Sequence, residues 1–254
     1  FDIELKEVSF SYGGGRKVID HVSLKIPQGT TCAVVGPSGS GKTTLCSLIA
    51  RFWDVQEGAV CIGGVPGSPI PKHELMNRIA FVFQDSRLLK ASILENVRAS
   101  RPDATRNQVL EALQAAQCDD ILEKLPKGID TVLGTKGVYL SGGEQQRIAL
   151  ARAILKDAPI VLLDEATAFA DPENEHKIQM AFERLTKGKT VLMIAHRLPT
   201  IQNADEILVL EQGTVAEQGD HDALMAQNGI YASMWRDYQT SIAWNIGKEG
   251  HHAS

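Results

Sequence analysis

Gly36-Pro-Ser-Gly-Ser-Gly41-Lys42-Thr43 constrains this chain more than any other stretch. It spells G-x-x-x-x-G-K-[ST] between a short apolar run, Thr31–Val35, and a segment of helical pattern, Lys42–Phe52. Glycines let consecutive backbone N–H groups turn inward, and a helix opening there adds the positive end of its dipole. The pattern predicts a loop closed around phosphates in a strand–loop–helix unit. In such a loop Lys42 bridges the β- and γ-phosphates and the Thr43 hydroxyl ligates Mg²⁺. Gly36, Pro37, Ser38, Gly39, Ser40, Gly41 and Thr44 complete the expected cradle. Without that strand and helix, the same letters would be a glycine turn before an exposed lysine.

The rest of the chain is consistent with such a core. Ile160–Leu163 and Val191–Ala195 are continuous apolar strands separated by a helix near Glu173–Leu185. Apolar strands alternating with helices indicate a parallel sheet covered on both faces. Asp164 and Glu165 follow the first of these strands. Acids at the carboxyl end of such a strand are expected beside the ligand. Asp164 fits the carboxylate that organises Mg²⁺, and Glu165 is the candidate general base for the attacking water. Seen alone, they would be two solvated acids at a strand end.

Ile3–Phe10 and Val18–Ile26 alternate apolar and polar residues around Gly13–Gly15, which predicts two half-buried antiparallel strands. Ala59–Ile62 and Ile79–Phe83 read as further strands, and Glu206–Leu210 with Thr214–Glu217 reads as a hairpin around Gly213. From about Ser92 to Leu125 the period becomes helical, and a block over roughly 85–157 reads as a helical subdomain inserted between strands. Beyond Ile230 the helical pattern fades near Thr240, so 242–254 is expected to be a disordered tail in which His251 and His252 are either native or a tag remnant.

Composition narrows the function classes. A net charge of -5 gives no basic face for nucleic acid, and no apolar run approaches the roughly 20 residues of a membrane-spanning helix. Cys32, Cys46, Cys61 and Cys118 have neither metal-ligand nor redox spacing and read as reduced thiols of a cytosolic protein. The first residue is Phe1, which is expected of a piece excised from a longer chain.

Leu140-Ser141-Gly142-Gly143-Glu144-Gln145-Gln146-Arg147 opens a second anion site. Ser141-x-x-Glu144 is a capping box for a helix running to about Lys156. Two glycines after the cap leave that helix end bare, with no lysine of its own. Such a half-site makes sense if it closes over phosphates held by another subunit.

With these residues in view, the chain resembles the nucleotide-binding domain of ATP-binding cassette (ABC) transporters. Ser141-Gly-Gly-Glu144 is similar to that family's signature motif and lies 23 residues before Asp164. The resemblance covers Ile3 to about Gln239 and implies a phosphate-loop NTPase core of α/β class, with a mainly parallel sheet, an antiparallel β subdomain and an inserted α-helical subdomain, all within 1–241. It implies ATP and Mg²⁺ as ligands. Tyr12 matches the aromatic stacked on adenine, Gln84 the glutamine that touches Mg²⁺, and His196 the switch histidine facing the γ-phosphate. Alone, these would be a strand tyrosine, a loop glutamine and a structural histidine. Ser141, Gly142, Gly143 and Glu144 match residues that close over a partner's nucleotide. Asp171, locally an N-cap before Pro172, matches an aspartate of the dimer-crossing loop, where Phe169 and Ala170 depart from the usual spelling.

The implied partners are a transmembrane domain and a second nucleotide-binding domain, with no nucleic acid, at the cytoplasmic face of a membrane. Gln84–Leu89 and Ser92–Asn96 resemble the exporter-type branch, as does Thr131–Gly137 with Thr135 replacing a glutamate. The spelling Ala166–Glu175 resembles a subgroup that uses exporter architecture to take up iron–siderophores. The competing class, a cassette ATPase acting on nucleic acid or chromosomes, usually carries a long coiled coil or a second cassette, and neither is present in this stretch. A regulatory module without turnover would be expected to lose Glu165 or His196, and both are kept.

Overall fold

A computed structural model describes residues 1–67, 69–83, 87–134, 138–164 and 172–249, the side chains of 172 and 243–249 excepted. In chain order the first elements are β1 (Ile3–Phe10), β2 (Ile19–Ile26), β3 (Thr31–Val35), α1 (Lys42–Ile49), β4 (Glu57–Ile62), β5 (Val65–Pro66) and α2 (Lys72–Asn77). Next come β6 (Ile79–Val82), α3 (Ile93–Arg98), α4 (Arg106–Ala115), α5 (Asp119–Lys124) and α6 (Gly142–Lys156). The last are β7 (Ile160–Asp164), α7 (Pro172–Thr186), β8 (Thr190–Ile194), β9 (Glu206–Glu211), β10 (Thr214–Gly219), α8 (His221–Gln227) and α9 (Ile230–Glu249). They form two compact units, one of Phe1 and Pro69–Val191, the other of Asp2–Ser68 and Leu192–Ser254.

The second of these units holds an antiparallel sheet in the order β2-β1-β4-β5. Along β1 the apolar alternation is interrupted by two exposed residues, Lys6 and Glu7. There the pairing with β2 shifts register and Glu7 takes a φ of 46°. The bulge turns the strand so that Val8 and Phe10 are again buried. In the same unit β3 pairs in parallel with β9, from Cys32 opposite Glu206 to Val35 opposite Val209. β10 returns antiparallel after Gly213, whose φ is 81°. Ala33, Val35, Ile207 and Val209 form a core with Leu224, Tyr231 and Trp235 of α8 and α9. Both carboxylate oxygens of Glu217 accept the first amides of α9, from Ile230 at 2.5 Å and Tyr231 at 3.0 Å.

In the other unit β6 and β7 pair in parallel, Ile79 with Ile160 through Val82 with Leu163. Ile160–Leu163 are all buried, as a continuous apolar strand requires. α6 packs against α3, α4 and α7. The ammonium of Lys156, near its end, donates to the carbonyls of Met76 and Ile79 at 2.7 Å each, and burial pulls its pKa below the ordinary lysine value. The span 85–157 holds α3 to α6, and the compact unit that contains them extends over Pro69–Val191 to take in β6, β7 and α7 as well.

Several boundaries differ from the sequence expectation. α1 stops at Ile49 instead of Phe52, because Arg51 adopts a left-handed φ of 54°. The amides of Arg51 and Phe52 then donate back to Leu48 and Ser47, a C-terminal cap that ends the helix. α2, β5 and α8 are too short to announce themselves by periodicity, and α8 is set by Asp220 accepting the Ala223 amide at 2.8 Å. α9 continues past Thr240 to Glu249, into the stretch expected to be disordered. Adding residues to an existing helix gains a hydrogen bond each without a new nucleation cost.

Candidate functional site

The loop after β3 is built by close backbone approach. Gly36 has a φ of 148°, and a Cβ there would lie 2.1 Å from the Leu210 carbonyl oxygen. Gly41 caps α1 in a left-handed conformation with φ 105°. The ammonium of buried Lys42 folds over the loop and donates to the carbonyls of Gly36 and Pro37 at 2.8 and 2.9 Å. Ser40 Oγ is buried without a hydrogen-bond partner among the described residues. A buried orphan hydroxyl is unfavourable unless a ligand or water satisfies it. Thr43 is exposed and Thr44 buried.

Gly213 supports this loop from outside the motif. Its amide donates to the Ser40 carbonyl at 3.0 Å and its carbonyl accepts from Asp20 at 2.9 Å. A Cβ on Gly213 would lie 2.3 Å from the Val18 oxygen. The sequence marked Gly213 only as a hairpin turn; the loop it braces is 173 residues away at Ser40, so no local signal pointed to it. Arg16, Lys17 and Gln212 line a cleft of about 320 Å³ with Pro37–Ser40.

Tyr12 stands half-exposed in a short 3₁₀ turn, and its hydroxyl lies 3.1 Å from Thr44 Oγ1. His196 is exposed one residue beyond Ala195, whose amide donates to Val34 at 3.1 Å. The ends of β3 and β8 therefore adjoin, with the glycine loop leaving one and His196 the other. These residues all belong to the unit of Asp2–Ser68 and Leu192–Ser254.

The other unit carries α6 and Asp164. The Ser141 capping box is complete: its hydroxyl accepts the Glu144 amide at 3.2 Å, and Glu144 accepts the Ser141 amide at 2.8 Å. Glu144 also pairs with Lys124. Partial burial acts to raise its pKa, but Lys124 and the Ser141 amide outweigh it and hold the carboxyl below its ordinary range. That carboxylate is committed to the cap. Of the two glycines expected to be bare, only Gly142 is exposed; Gly143 is buried, and a Cβ there would come 3.2 Å from the Asn174 side chain. Asp164 ends β7, half-buried. Gln84, Thr135, Glu165, Phe169, Ala170 and Asp171 lie outside the described residues.

Sequence reasoning missed what holds α6 in place. Arg147 is 1% exposed and donates bidentately to Asp120 at 2.7 and 3.0 Å and to Asn174 at 2.8 Å. Lys177 adds a bond to Asp120 at 3.1 Å. Partial burial acts to raise the Asp120 pKa, yet the Arg147 and Lys177 hydrogen bonds prevail and hold it at about 2. A glycine-opened helix end so braced, together with a glycine loop closed by a lysine, can receive anions at two separate places.

A family model described as ABC transporter matches residues 19–168. The chain belongs to the ABC transporter family. It is similar to the mycobactin import ATP-binding/permease protein IrtA of Mycolicibacterium thermoresistibile, 49% identical over 92% of this chain and 26% of that protein. It is also similar to the ATP-dependent lipid A-core flippase of Burkholderia orbicola, 47% identical over 95% of this chain and 41% of the flippase. Among solved structures, a bacterial Atm1-family ABC exporter with ATP bound matches with a TM-score of 0.87 and 39% identity over 93% of this chain and 41% of that one. The chain thus spans about a quarter to two-fifths of the length of these ABC proteins. It has the ATP-binding ATPase fold of the family, of the exporter type, and the nucleic-acid reading finds no support in these relatives. Among the described residues no helix is long and apolar enough to cross a membrane.

Proposed function

We propose that this domain binds MgATP in the Gly36–Thr43 loop, hydrolyses it with Glu165 as general base, and drives solute movement by a transmembrane partner. The observation that carries the reading is the loop itself. Lys42 is held over it by two loop carbonyls and the buried Ser40 hydroxyl lacks a partner among the described residues, an arrangement that a triphosphate would complete. Thr43, Gln84 and Asp164 are assigned to Mg²⁺, for which their side-chain oxygens are the hard donors, and the ion would neutralise charge on the transferred phosphoryl group. His196 is assigned to the γ-phosphate and Tyr12 to the adenine.

Lys42→Ala removes a charge-assisted contact and is expected to weaken ATP binding sharply or abolish turnover. Glu165→Gln keeps size but not basicity, so ATP still binds while turnover falls by about 10²–10⁴-fold. Equilibrium binding and phosphate-release assays on both variants test this. Wild-type hydrolysis by Lys42→Ala would overturn the site, and wild-type hydrolysis by Glu165→Gln would place another group on the water.

The transported solute has a finer reading in iron–siderophore uptake. It rests on the spelling Ala166–Glu175 and on the 49% identity to a mycobactin import protein. ATP-driven flux of iron–siderophore, measured against lipid A in vesicles holding the complete transporter, separates it from a flippase role.

A further inference from the structure

The segment that carries Lys42 also reaches Tyr12 at two points. Near its start, Thr44 Oγ1 lies 3.1 Å from the Tyr12 hydroxyl. Past its end, the cap at Arg51 turns the chain and Trp53 lies against the same ring. The Tyr12 and Trp53 centroids are 5.4 Å apart with their planes at 85°. Phe10, buried beneath, meets Tyr12 at 4.9 Å and 89° and Trp53 at 6.0 Å. Arg51 fixes the cap by donating to the Gly67 carbonyl at 2.7 Å and to Asp54 at 3.3 Å.

Trp53 packs on Phe10 and Tyr12 and remains 51% exposed. Two edge-to-face contacts and one hydrogen bond leave Tyr12 little freedom to rotate, although 46% of its surface is open. An aromatic platform held in one orientation before the ligand arrives binds with less ordering cost.

We propose that Trp53 is a positioning residue for base recognition: with Thr44 it sets the plane of Tyr12, so the segment gripping the phosphates also presents the platform for the base. The inference rests on the stacking role proposed for Tyr12.

The test compares MgATP with magnesium tripolyphosphate, which has the phosphates and no base, on this 254-residue chain. Trp53→Leu is expected to weaken ATP roughly 2- to 12-fold, the range for one edge-to-face aromatic pair. Tripolyphosphate affinity and the turnover rate at saturating ATP should hold, and Trp53→Phe should recover part of the loss. In a Tyr12→Ala background the Trp53→Leu effect should vanish. Equal weakening of both ligands would make Trp53 a prop for the loop and overturn the inference, as would unchanged ATP affinity. An undiminished Trp53→Leu effect without Tyr12 would place the indole on the base itself, again overturning it. Tyr12→Ala alone reads the underlying assignment. If it leaves the ATP-to-tripolyphosphate ratio unchanged, the stacking role falls. If it shifts that ratio while Trp53→Leu does not, only the part given to Trp53 falls.

Discussion

At the scale of single residues, glycine positions show most directly how distant chain segments shape the phosphate loop. Gly36 and Gly213 both have positive φ and would meet backbone oxygens if they carried a Cβ. The neighbour is main chain in each case, so no rotamer change can relieve the clash. Gly213→Ala is expected to raise the apparent ATP requirement because Gly213 holds the Ser40 carbonyl, even though it lies outside every nucleotide motif. Left-handed strain alone costs about 1–3 kcal/mol, and displacement of the Val18 carbonyl adds to it. Equilibrium ATP titration, with thermal unfolding as a control, checks this. Wild-type affinity at unchanged stability would show that the loop does not depend on Gly213.

At the scale of elements, α6 depends on a cation buried three residues beyond Glu144. Arg147 joins α6 to Asp120 at the start of α5 and Asn174 in the first turn of α7. Arg147→Ala removes the guanidinium that Asp120 and Asn174 share and is expected to destabilise the fold by about 3 kcal/mol, toward the lower end for a broken buried pair because Asp120 is partly exposed. Arg147→Lys keeps the charge but not the bidentate geometry and should recover only part. Urea titration reads both. The pair also has a pH signature. Asp120 titrates at about 2 in the folded chain, below its ordinary value of 3.8, so its contribution is present above 3.8 and is lost as pH falls toward 2. The stability difference between wild type and Asp120→Asn should therefore shrink over that window. A constant difference would show that the carboxylate charge is not what holds α6.

The whole-molecule prediction concerns assembly. Gly142 leaves the start of α6 open and the Lys124 ammonium there is taken up by Glu144, whereas Lys42 belongs to the other unit of the chain. The two anion sites are expected to meet between copies, each nucleotide lying between one chain's Lys42 loop and the other's Ser141 helix. Glu165→Gln should then form an ATP-dependent dimer visible by light scattering, and Ser141→Arg should block it while leaving ATP binding by the single chain nearly intact. Mixing Lys42→Ala with Ser141→Arg restores one composite site per mixed pair, so hydrolysis should partly return. Full activity of Ser141→Arg alone, linear in protein concentration, would make the single chain the enzyme.

The sequence by itself determined the class of fold and its ATP-binding ATPase character. β1 and β3 were legible from the alternation and length of their apolar runs, and the span of α6 follows from its capping box and period. The phosphate loop was legible in the same way, because its glycines and lysine must stand at fixed short spacings for backbone and side chain to reach one ligand. The tertiary structure decided what arrives from far along the chain: Gly213 under Ser40, Arg147 between Asp120 and Asn174, and Trp53 against Tyr12. It also turned Gly143 inward against Asn174, leaving one bare glycine where two were expected. Spacing along the chain records only contacts made within a turn or a strand pair. Contacts between remote segments depend on the angles at which elements leave their caps, such as the left-handed turn at Arg51, and those angles come from packing.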